Sequence, residues 1–269
     1  MIKKTLFFFF LIFLSTCFLS CATSDKHYTQ KSLFNKVRKS FVKIEKDLTI
    51  NGCSKKNPNQ CAAARYASFA SGAVIRKFIN GSIVLTAEHV CDVRYLDEMV
   101  KKDAEVYSYD LKFKVVDLEG VGRDIDVIAF NAEHDICLLW AENLHKPAIS
   151  LSKTKPTPGD RAFNVAAPLG IFDTNMAPLF EGSYNGSTGN KAIYSIPAAG
   201  GSSGSPIVNH KGELIGMIHS VYRKFNHLSL SPVYSNLMEF IEAESDNFMT
   251  KKLISIYIKE AVDLSKKLK

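Results

Sequence analysis

Short apolar and β-branched runs separated by turn residues recur along most of this chain, and this pattern restricts the folds that it can adopt. The runs at 73–75 and 83–86 flank Asn80 and Gly81, which is the sequence signature of a β-hairpin. Further strand-like runs lie at 41–44, 104–109, 113–116, 126–130, 136–140, 161–166, 192–196, 206–208 and 214–219. Many short strands at this spacing predict an antiparallel barrel or sandwich rather than a parallel α/β sheet.

A proline-rich break at residues 153–159 divides these runs into two groups, and it predicts a boundary between two β units. The predicted units are 40–152 and 153–234. A tether and a short helix at 21–39 precede them. Over 235–269 the apolar residues follow helical spacing, which predicts C-terminal helices that pack on the β units through their apolar stripe. A membrane-surface role for the basic last helix is the alternative.

Residues 1–20 predict an export signal, because two lysines precede an uncharged, mostly apolar run. Cys21 ends a segment that resembles a bacterial lipobox, in which Phe18 stands where Leu is usual. We expect cleavage before Cys21 and a lipid on its sulfur, which would tether the protein to a membrane. Ordinary cleavage just after Cys21 or Ala22 and an uncleaved anchor are the alternatives. The protein is therefore expected in the cell envelope, as a periplasmic or outer-membrane lipoprotein, or outside the cell.

The charge balance and the cysteine spacing predict which partners the chain lacks. The formal charge of +7 at pH 7 is modest and dispersed, so it indicates solvated helix faces rather than a nucleic-acid surface. The cysteines lack the close paired spacing of a metal site, so no metal is expected. No cofactor is expected either, and the sequence leaves the oligomeric state open.

Two of the six cysteines lie in or next to the predicted export signal, which leaves four. An even number in an oxidising compartment indicates two disulfides. Cys53 and Cys61 would close a short polar loop, which leaves Cys91 and Cys137 to pair.

Three short segments carry the residue types of a nucleophilic catalytic site. In chain order they are LTAEHVC around His89, HDICLL around Asp135 and GSSGSP around Ser203. A serine hydroxyl attacks poorly unless an imidazole takes its proton, and the imidazole needs a carboxylate that fixes its tautomer. These residues therefore predict a catalytic triad, with Asp124 and Asp126 as alternative carboxylates.

Glycines beside the predicted nucleophile favour an oxyanion hole. Gly200, Gly201 and Gly204 give the loop around Ser203 the φ/ψ freedom that is needed to aim two backbone amides at one point. Acyl transfer develops an oxyanion that such amides stabilise. We therefore assign the oxyanion hole to the amides of Gly201 and Ser203.

The three segments resemble those of the trypsin-like serine proteases, which have the chymotrypsin fold, and particularly those of the bacterial HtrA-like and glutamyl-endopeptidase-like branches. The likeness covers about residues 31–242, because further stretches resemble family segments in family order: 40–44, 71–75, 158–160, 167–170 and 208–216. Two positions depart from the family pattern. Ser202 stands where Asp or Asn is common, and Ser205 replaces a Gly.

The resemblance implies an all-β fold of two antiparallel six-stranded β-barrels, with His89 and Asp135 on the first barrel and Ser203 on the second. It also implies that the crevice between the barrels hydrolyses the peptide bonds of a polypeptide substrate through an acyl-enzyme. Cys91 follows His89 by two residues and Cys137 follows Asp135 by two. Their pairing would therefore staple these two parts of the site together.

By resemblance, the pocket for P1, the residue before the scissile bond, is lined by Pro197, Ala198, Ala199, Ile218 and His219. No acid stands where a pocket for Lys or Arg needs one, so small or medium apolar P1 residues are expected. A glutamate-specific endopeptidase that uses His219 is one alternative, and a catalytically inactive lipoprotein of the protease fold that binds a partner is another. An esterase or lipase is disfavoured because Ser203 is not the central residue of a Gly-x-Ser-x-Gly elbow, and because the three residues do not follow the chain order Ser-Asp-His.

Overall fold

The computed structural model describes residues 29–267 except 55, 56, 58, 93–103 and 223. The predictions for the export signal and for Cys21 lie outside the described residues. The chain enters the fold through helix α1 (Gln30–Arg38), whose first turn is capped by the Thr29 hydroxyl. This helix buries Leu33 and Val37 and thereby anchors the start of the chain on the core.

The first β unit is a closed antiparallel barrel with the strand order β1-β2-β3-β6-β5-β4. Its strands are β1 (Phe41–Ser54), β2 (Cys61–Phe78), β3 (Gly81–Thr86), β4 (Ala104–Asp117), β5 (Gly122–Asn131) and β6 (Ile136–Glu142). The predicted hairpin around Asn80 is confirmed, with Phe78 of β2 opposite Gly81 of β3. Leu85 of β3 and Leu138 of β6 are paired and fully buried, so these two strands run through the core.

The hairpin of β1 and β2 is long, and β4 accompanies it to its tip. β1 pairs with β2 from Phe41 opposite Ala73 as far as Cys53 opposite Cys61, and with β4 along its other side. β4 pairs with β1 along its whole length, with one irregularity between Asn51 and Gly52, so the runs predicted separately at 104–109 and 113–116 form one strand. The predicted Cys53–Cys61 disulfide is confirmed and closes the tip of the hairpin.

The second β unit is a sheet of seven strands in the order β11-β10-β7-β8-β9-β13-β12. They are β7 (Arg161–Val165), β8 (Leu179–Thr188), β9 (Lys191–Tyr194), β10 (Pro206–Val208), β11 (Leu214–Met217), β12 (Ser220–Tyr222) and β13 (Phe225–Pro232). The all-β class and the chymotrypsin-like arrangement of two antiparallel units are confirmed. The second unit differs from the predicted six-stranded barrel because it has an additional strand and its end strands do not pair.

The run predicted as one strand at 214–219 accounts for this difference. The amide of Ile218 donates to the carbonyl of Ser205, and the carbonyl of Ile218 accepts from the amide of Gly204. Ile218 therefore bonds to the loop around Ser203 rather than to a neighbouring strand, and the run divides into β11 and β12. β12 then pairs with β13 instead of continuing beside β10.

The chain ends in one long helix, α3 (Tyr234–Lys267), where shorter helices from residue 235 were predicted. The prediction of packing through an apolar stripe holds near its start, because Leu237, Met238 and Ile241 are buried in the core. Farther along, Phe248 packs against Trp140 of β6 with ring centroids 5.1 Å apart. In the part of the chain that the structure describes, no helix is long and apolar enough to cross a membrane.

Candidate active site

His89 and Asp135 lie together at one end of the first barrel. His89 is in the short helix α2 (Glu88–Cys91), directly after β3, and Asp135 directly precedes β6. The Asp135 carboxylate accepts a hydrogen bond from the His89 backbone amide at 3.0 Å, and its two oxygens lie 3.0 and 2.9 Å from His89 Nδ1. The side chain therefore fixes both the position of the helix turn and the orientation of the imidazole. Asp135 has a positive φ of 54°, a conformation that Asp tolerates better than most residues.

A second histidine approaches the same carboxylate. His219 lies between β11 and β12, and its Nδ1 is 3.4 Å from Asp135 Oδ2. Burial by itself raises the pKa of Asp135, but the hydrogen bonds from His219 and His89 outweigh burial and hold this pKa well below its ordinary value. Asp135 is therefore a carboxylate at neutral pH, as an orienting and charge-stabilising group must be.

The predicted Cys91–Cys137 disulfide is confirmed and joins α2 to β6. It lies two residues beyond His89 on one side and two residues beyond Asp135 on the other. Both sulfur-bearing residues are buried. The bond therefore constrains the two elements that carry the imidazole and the carboxylate.

Ser203 lies in the loop between β9 and β10, and this loop is bound both to the first barrel and to the chain that follows β11. The Ser203 carbonyl accepts from the Ser71 amide at 2.8 Å, and the Gly204 amide donates to the Ile218 carbonyl at 2.7 Å. Gly204 has a φ of +85°, and a side chain there would collide with the Thr86 hydroxyl and the Ser71 carbonyl. Only glycine fits this position, so Gly204 is required by the local packing.

The turn before Ser203 orients the amides that were assigned to the oxyanion hole. The Ser202 amide donates to the Ala199 carbonyl at 2.9 Å, and Gly201 has a φ of +94°, which is a turn that favours glycine at its third position. The Gly200 carbonyl accepts from the Leu169 amide at 2.6 Å. Because the carbonyl and amide of one trans peptide point in opposite directions, the Gly201 amide points away from Leu169. Within the described chain, the amides of Gly201 and Ser203 donate to no other protein group.

His89, Gly201 and Ser203 line one pocket of about 260 Å³. Its other lining residues come from the first barrel, from α2 and from the turn before Ser203: Ile44, Lys46, Ser68, Phe69, Ala70, Val90 and Gly200. Among the described residues, no hydrogen bond joins the His89 ring to the Ser203 hydroxyl. Such bonds are often long without substrate and tighten when it binds. The pocket thus places an oriented imidazole, a serine hydroxyl and two unoccupied amides around one space.

The five residues predicted to line the P1 pocket are all buried or half-buried. Ala198 and Ile218 are buried in the core of the second sheet, and Pro197 and Ala199 are half-buried. His219 is occupied by its contact with Asp135. The role of these five residues in substrate binding stays a prediction.

Ser71 was missed by the sequence analysis as a residue of this site. Its hydroxyl donates to the Gly201 carbonyl at 2.8 Å and accepts from the Ala167 amide at 3.0 Å, and its side chain is fully buried. Its carbonyl accepts from the Thr86 hydroxyl at 2.9 Å. A signal was available, because Ser71 opens one of the segments that carry the family resemblance.

Comparison with known proteins gives three findings. Residues 70–217 match the family model described as "Trypsin-like peptidase domain". A search of curated proteins found no match. Among solved structures, the chain is similar to the serine endoprotease from Yersinia pestis, with a TM-score of 0.56 and 16% sequence identity over 81% of this chain and 66% of that one. At this identity the likeness shows the fold alone, and the chain spans just under two thirds of that protein's length.

Proposed function

The chain belongs to the family of the trypsin-like peptidase domain, and we propose that it is an exported serine endopeptidase whose catalytic triad is Ser203, His89 and Asp135. One observation carries this proposal: an imidazole oriented by Asp135 lines the same pocket as Ser203 and the two amides of its loop. A binding role alone would not require these three groups to converge.

The geometry supports a two-step acyl transfer. Nε2 of His89 takes the proton of Ser203 Oγ as this oxygen attacks the scissile carbonyl carbon. The carbonyl oxygen becomes an oxyanion that accepts from the amides of Gly201 and Ser203. In enzymes from which one such donor has been removed, the activation free energy rises by about 3 kcal/mol. The imidazolium then gives its proton to the leaving amine, and the C–N bond breaks. Water attacks the acyl-enzyme in the same way and restores Ser203.

Asp135 stabilises the imidazolium in both steps. Its lowered pKa keeps it ionised, and its two oxygens are already placed against His89 Nδ1, so no reorganisation is needed when His89 becomes cationic.

The P1 preference that we propose is for small or medium apolar residues. This preference is supported by the absence of charge in four residues that the resemblance assigns to the P1 pocket: Pro197, Ala198, Ala199 and Ile218. A preference for glutamate would need a free cationic or polar group. His219 is the available candidate, and its Nδ1 already faces Asp135.

Export and a lipid on Cys21 remain part of the proposal on the strength of the first residues of the sequence. The two disulfides support export, because disulfides form and persist in oxidising compartments.

The function is tested by digesting a peptide library with a protein of residues 22–269. We expect cleavage after small or medium apolar residues, and we expect Ser203→Ala to abolish it. Ser202→Ala is the matched control, because its hydroxyl only accepts from the Ala199 amide, and this variant should cleave. Equal cleavage by the Ser203→Ala variant would assign the activity to another nucleophile, and no cleavage by the wild type would favour the catalytically inactive binding protein.

A further inference from the structure

One half of β2 has a neighbouring strand on only one side. Residues 61–73 pair with β1, whereas pairing with β3 begins only at Ala73. Residues 61–70 are here called the β2 edge. All of them except Ala70 are exposed to solvent. The other strand of the hairpin is flanked on both sides, by β2 and by β4, so the free edge belongs to β2.

Ser71 shows which backbone groups of the β2 edge point outward. Its amide donates to the Ser203 carbonyl and its carbonyl accepts from the Thr86 hydroxyl, so both groups point away from β1. Residues two apart in a strand point the same way, which gives Phe69, Ala67, Arg65 and Ala63 outward amides and carbonyls. Within the described chain these groups pair with no strand. They span about 20 Å at the usual rise per residue.

The β2 edge lacks the features by which proteins usually block a free strand. Such edges carry charges, prolines or bulges. The sequence CAAARYASFA has one charge, Arg65, and its side chain is bound to Asp47 of β1. The pairing of this segment with β1 has no irregularity. By contrast, the part of β4 that pairs only with β1 carries the charged residues Asp110 and Lys112. The β2 edge is therefore a regular template for an added strand.

The β2 edge runs directly into the candidate active site. Ser68, Phe69 and Ala70 line the same pocket as His89 and Ser203. In the proposed reaction His89 protonates the leaving amine, so the leaving segment lies on the side of the first barrel. Two of the residues assigned to P1, Ala198 and Ile218, belong instead to the core of the second sheet.

We propose that the β2 edge binds the part of a polypeptide substrate that follows the scissile bond, as an added β-strand of up to about seven residues. This inference rests on the proposed function and specifies its substrate class: extended or unfolded polypeptides that can supply free backbone amides over that length. Sequence is read weakly, because the contacts are to the main chain. Folded proteins are cleaved only where a segment of this length is extended.

The first test uses peptides with one fixed P1 residue and one to eight residues after the scissile bond. We expect kcat/KM to rise by about tenfold or more up to six or seven residues and then to level off, since each net backbone hydrogen bond gives a few-fold at most. N-methylation along the longest peptide should lower kcat/KM at alternate residues only. A flat length series, or losses with no period of two, would overturn the proposal.

The second test changes the protein. Ala67→Pro removes an outward amide while leaving the bonds to β1, because proline is tolerated where the amide faces solvent. We expect the ratio of kcat/KM for the eight-residue peptide to that for the one-residue peptide to fall several-fold. Leu111→Pro is the matched control. The Leu111 amide lies on the side of β4 that faces away from β1, since the Asp117 amide of the same strand donates toward β5. The kcat/KM ratio of the Leu111→Pro variant should therefore equal that of the wild type.

Labelling by a fluorophosphonate separates the two proposals. If wild-type protein is labelled but the ratio is the same in wild type and Ala67→Pro, the β2 edge is not a substrate site and the proposed function stands. If the protein is not labelled, the proposed function itself fails. Sedimentation supplies a further outcome: a dimer of this chain that Ala67→Pro dissociates would show that the edge pairs with a second copy, and would overturn the proposal.

Discussion

The two β units hold their parts of the candidate site by different means. In the first barrel, side chains define the geometry: Asp135 accepts from both the backbone and the ring of His89, and the Cys91–Cys137 disulfide joins the two elements. In the second unit, the main chain defines it. The Ser203 loop depends on glycines with positive φ and on hydrogen bonds that reach across to Ser71.

This difference indicates how each half can fail. The imidazole and the carboxylate are assembled within one unit, so they should survive damage to the other. The loop that carries the amides assigned to the oxyanion hole is held partly by Ser71 of the first barrel, so changes in that barrel should reach the Ser203 loop without touching His89.

The largest expected effect comes from changing the side chain that orients His89 in the first barrel. Asp135→Asn leaves the packing intact but presents an amide that stabilises the wrong tautomer of His89, so kcat on a peptide substrate should fall by about 10⁴-fold. Asp126→Asn, on exposed β5, is the matched control and should keep the wild-type kcat. A comparable loss in that control would mean that the orienting carboxylate has been misassigned.

Removing the Cys91–Cys137 disulfide should have the second-largest effect. Cys91→Ser with Cys137→Ser opens a connection of 46 residues and should lower the free energy of unfolding by about 4 kcal/mol in the chain-entropy model. Cys53→Ser with Cys61→Ser opens one of 8 residues and should cost about 2.5 kcal/mol. Denaturant unfolding measures both. Activity on a short peptide, assayed in parallel, should fall with the first pair much more than with the second; equal losses would contradict a local role for the Cys91–Cys137 bond.

Ser71→Ala tests whether hydrogen bonds from the first barrel position the Ser203 loop. It removes the bonds to Gly201 and Ala167 and should lower kcat by about tenfold, because a buried hydrogen-bonding group left unpaired costs about 1–3 kcal/mol. Ser82→Ala is the matched control. Ser82 is also a fully buried serine of this barrel, but it donates to the Leu144 carbonyl. The Ser82→Ala variant should lose a similar amount of stability and keep the wild-type kcat. Equal losses of kcat in the two variants would show that Ser71 affects activity only through the packing of the barrel.

The smallest expected effect concerns His219 and pH. Because the pKa of Asp135 is lowered in the folded state, its carboxylate stabilises the fold above the ordinary pKa of aspartate, and this contribution is lost as the pH falls through the folded value. His219→Ala removes one cause of the lowering. The loss of unfolding free energy between about pH 6 and about pH 2 should therefore shrink by about 1 kcal/mol.

His227→Ala, an exposed histidine of β13, should leave the pH dependence of stability unchanged. Identical behaviour of the His219→Ala and wild-type proteins would show that the contact with Asp135 does not affect its ionisation.

Local patterns were sufficient to predict His89, Asp135 and Ser203 as a group, because each lies in a short segment whose glycines, apolar neighbours or cysteines carry information. The same holds for the disulfides. The length of the β1–β2 hairpin could not be predicted, because residues 61–69 are exposed on both faces and show no alternation of apolar and polar residues. The strand β8 was missed for a similar reason, since its residues are half-buried or exposed.

The contact between His219 and Asp135 was beyond local reasoning as well. His219 follows Ile218, whose bonds to the Ser203 loop turn the chain out of β11. That turn brings the histidine to the carboxylate, with Nδ1 3.4 Å from Asp135 Oδ2. Contacts of this kind depend on where two distant segments meet, which strand-like patterns do not encode.

The central claim, that Ser203 is a nucleophile activated within this site, is tested most directly by a fluorophosphonate probe followed by peptide mapping of the labelled protein. We predict one label per chain, carried by Ser203, with labelling lost in Ser203→Ala and retained in Ser202→Ala. A wild-type protein that is folded, with both disulfides formed, and yet takes no label, or a label found on another residue, would contradict the account.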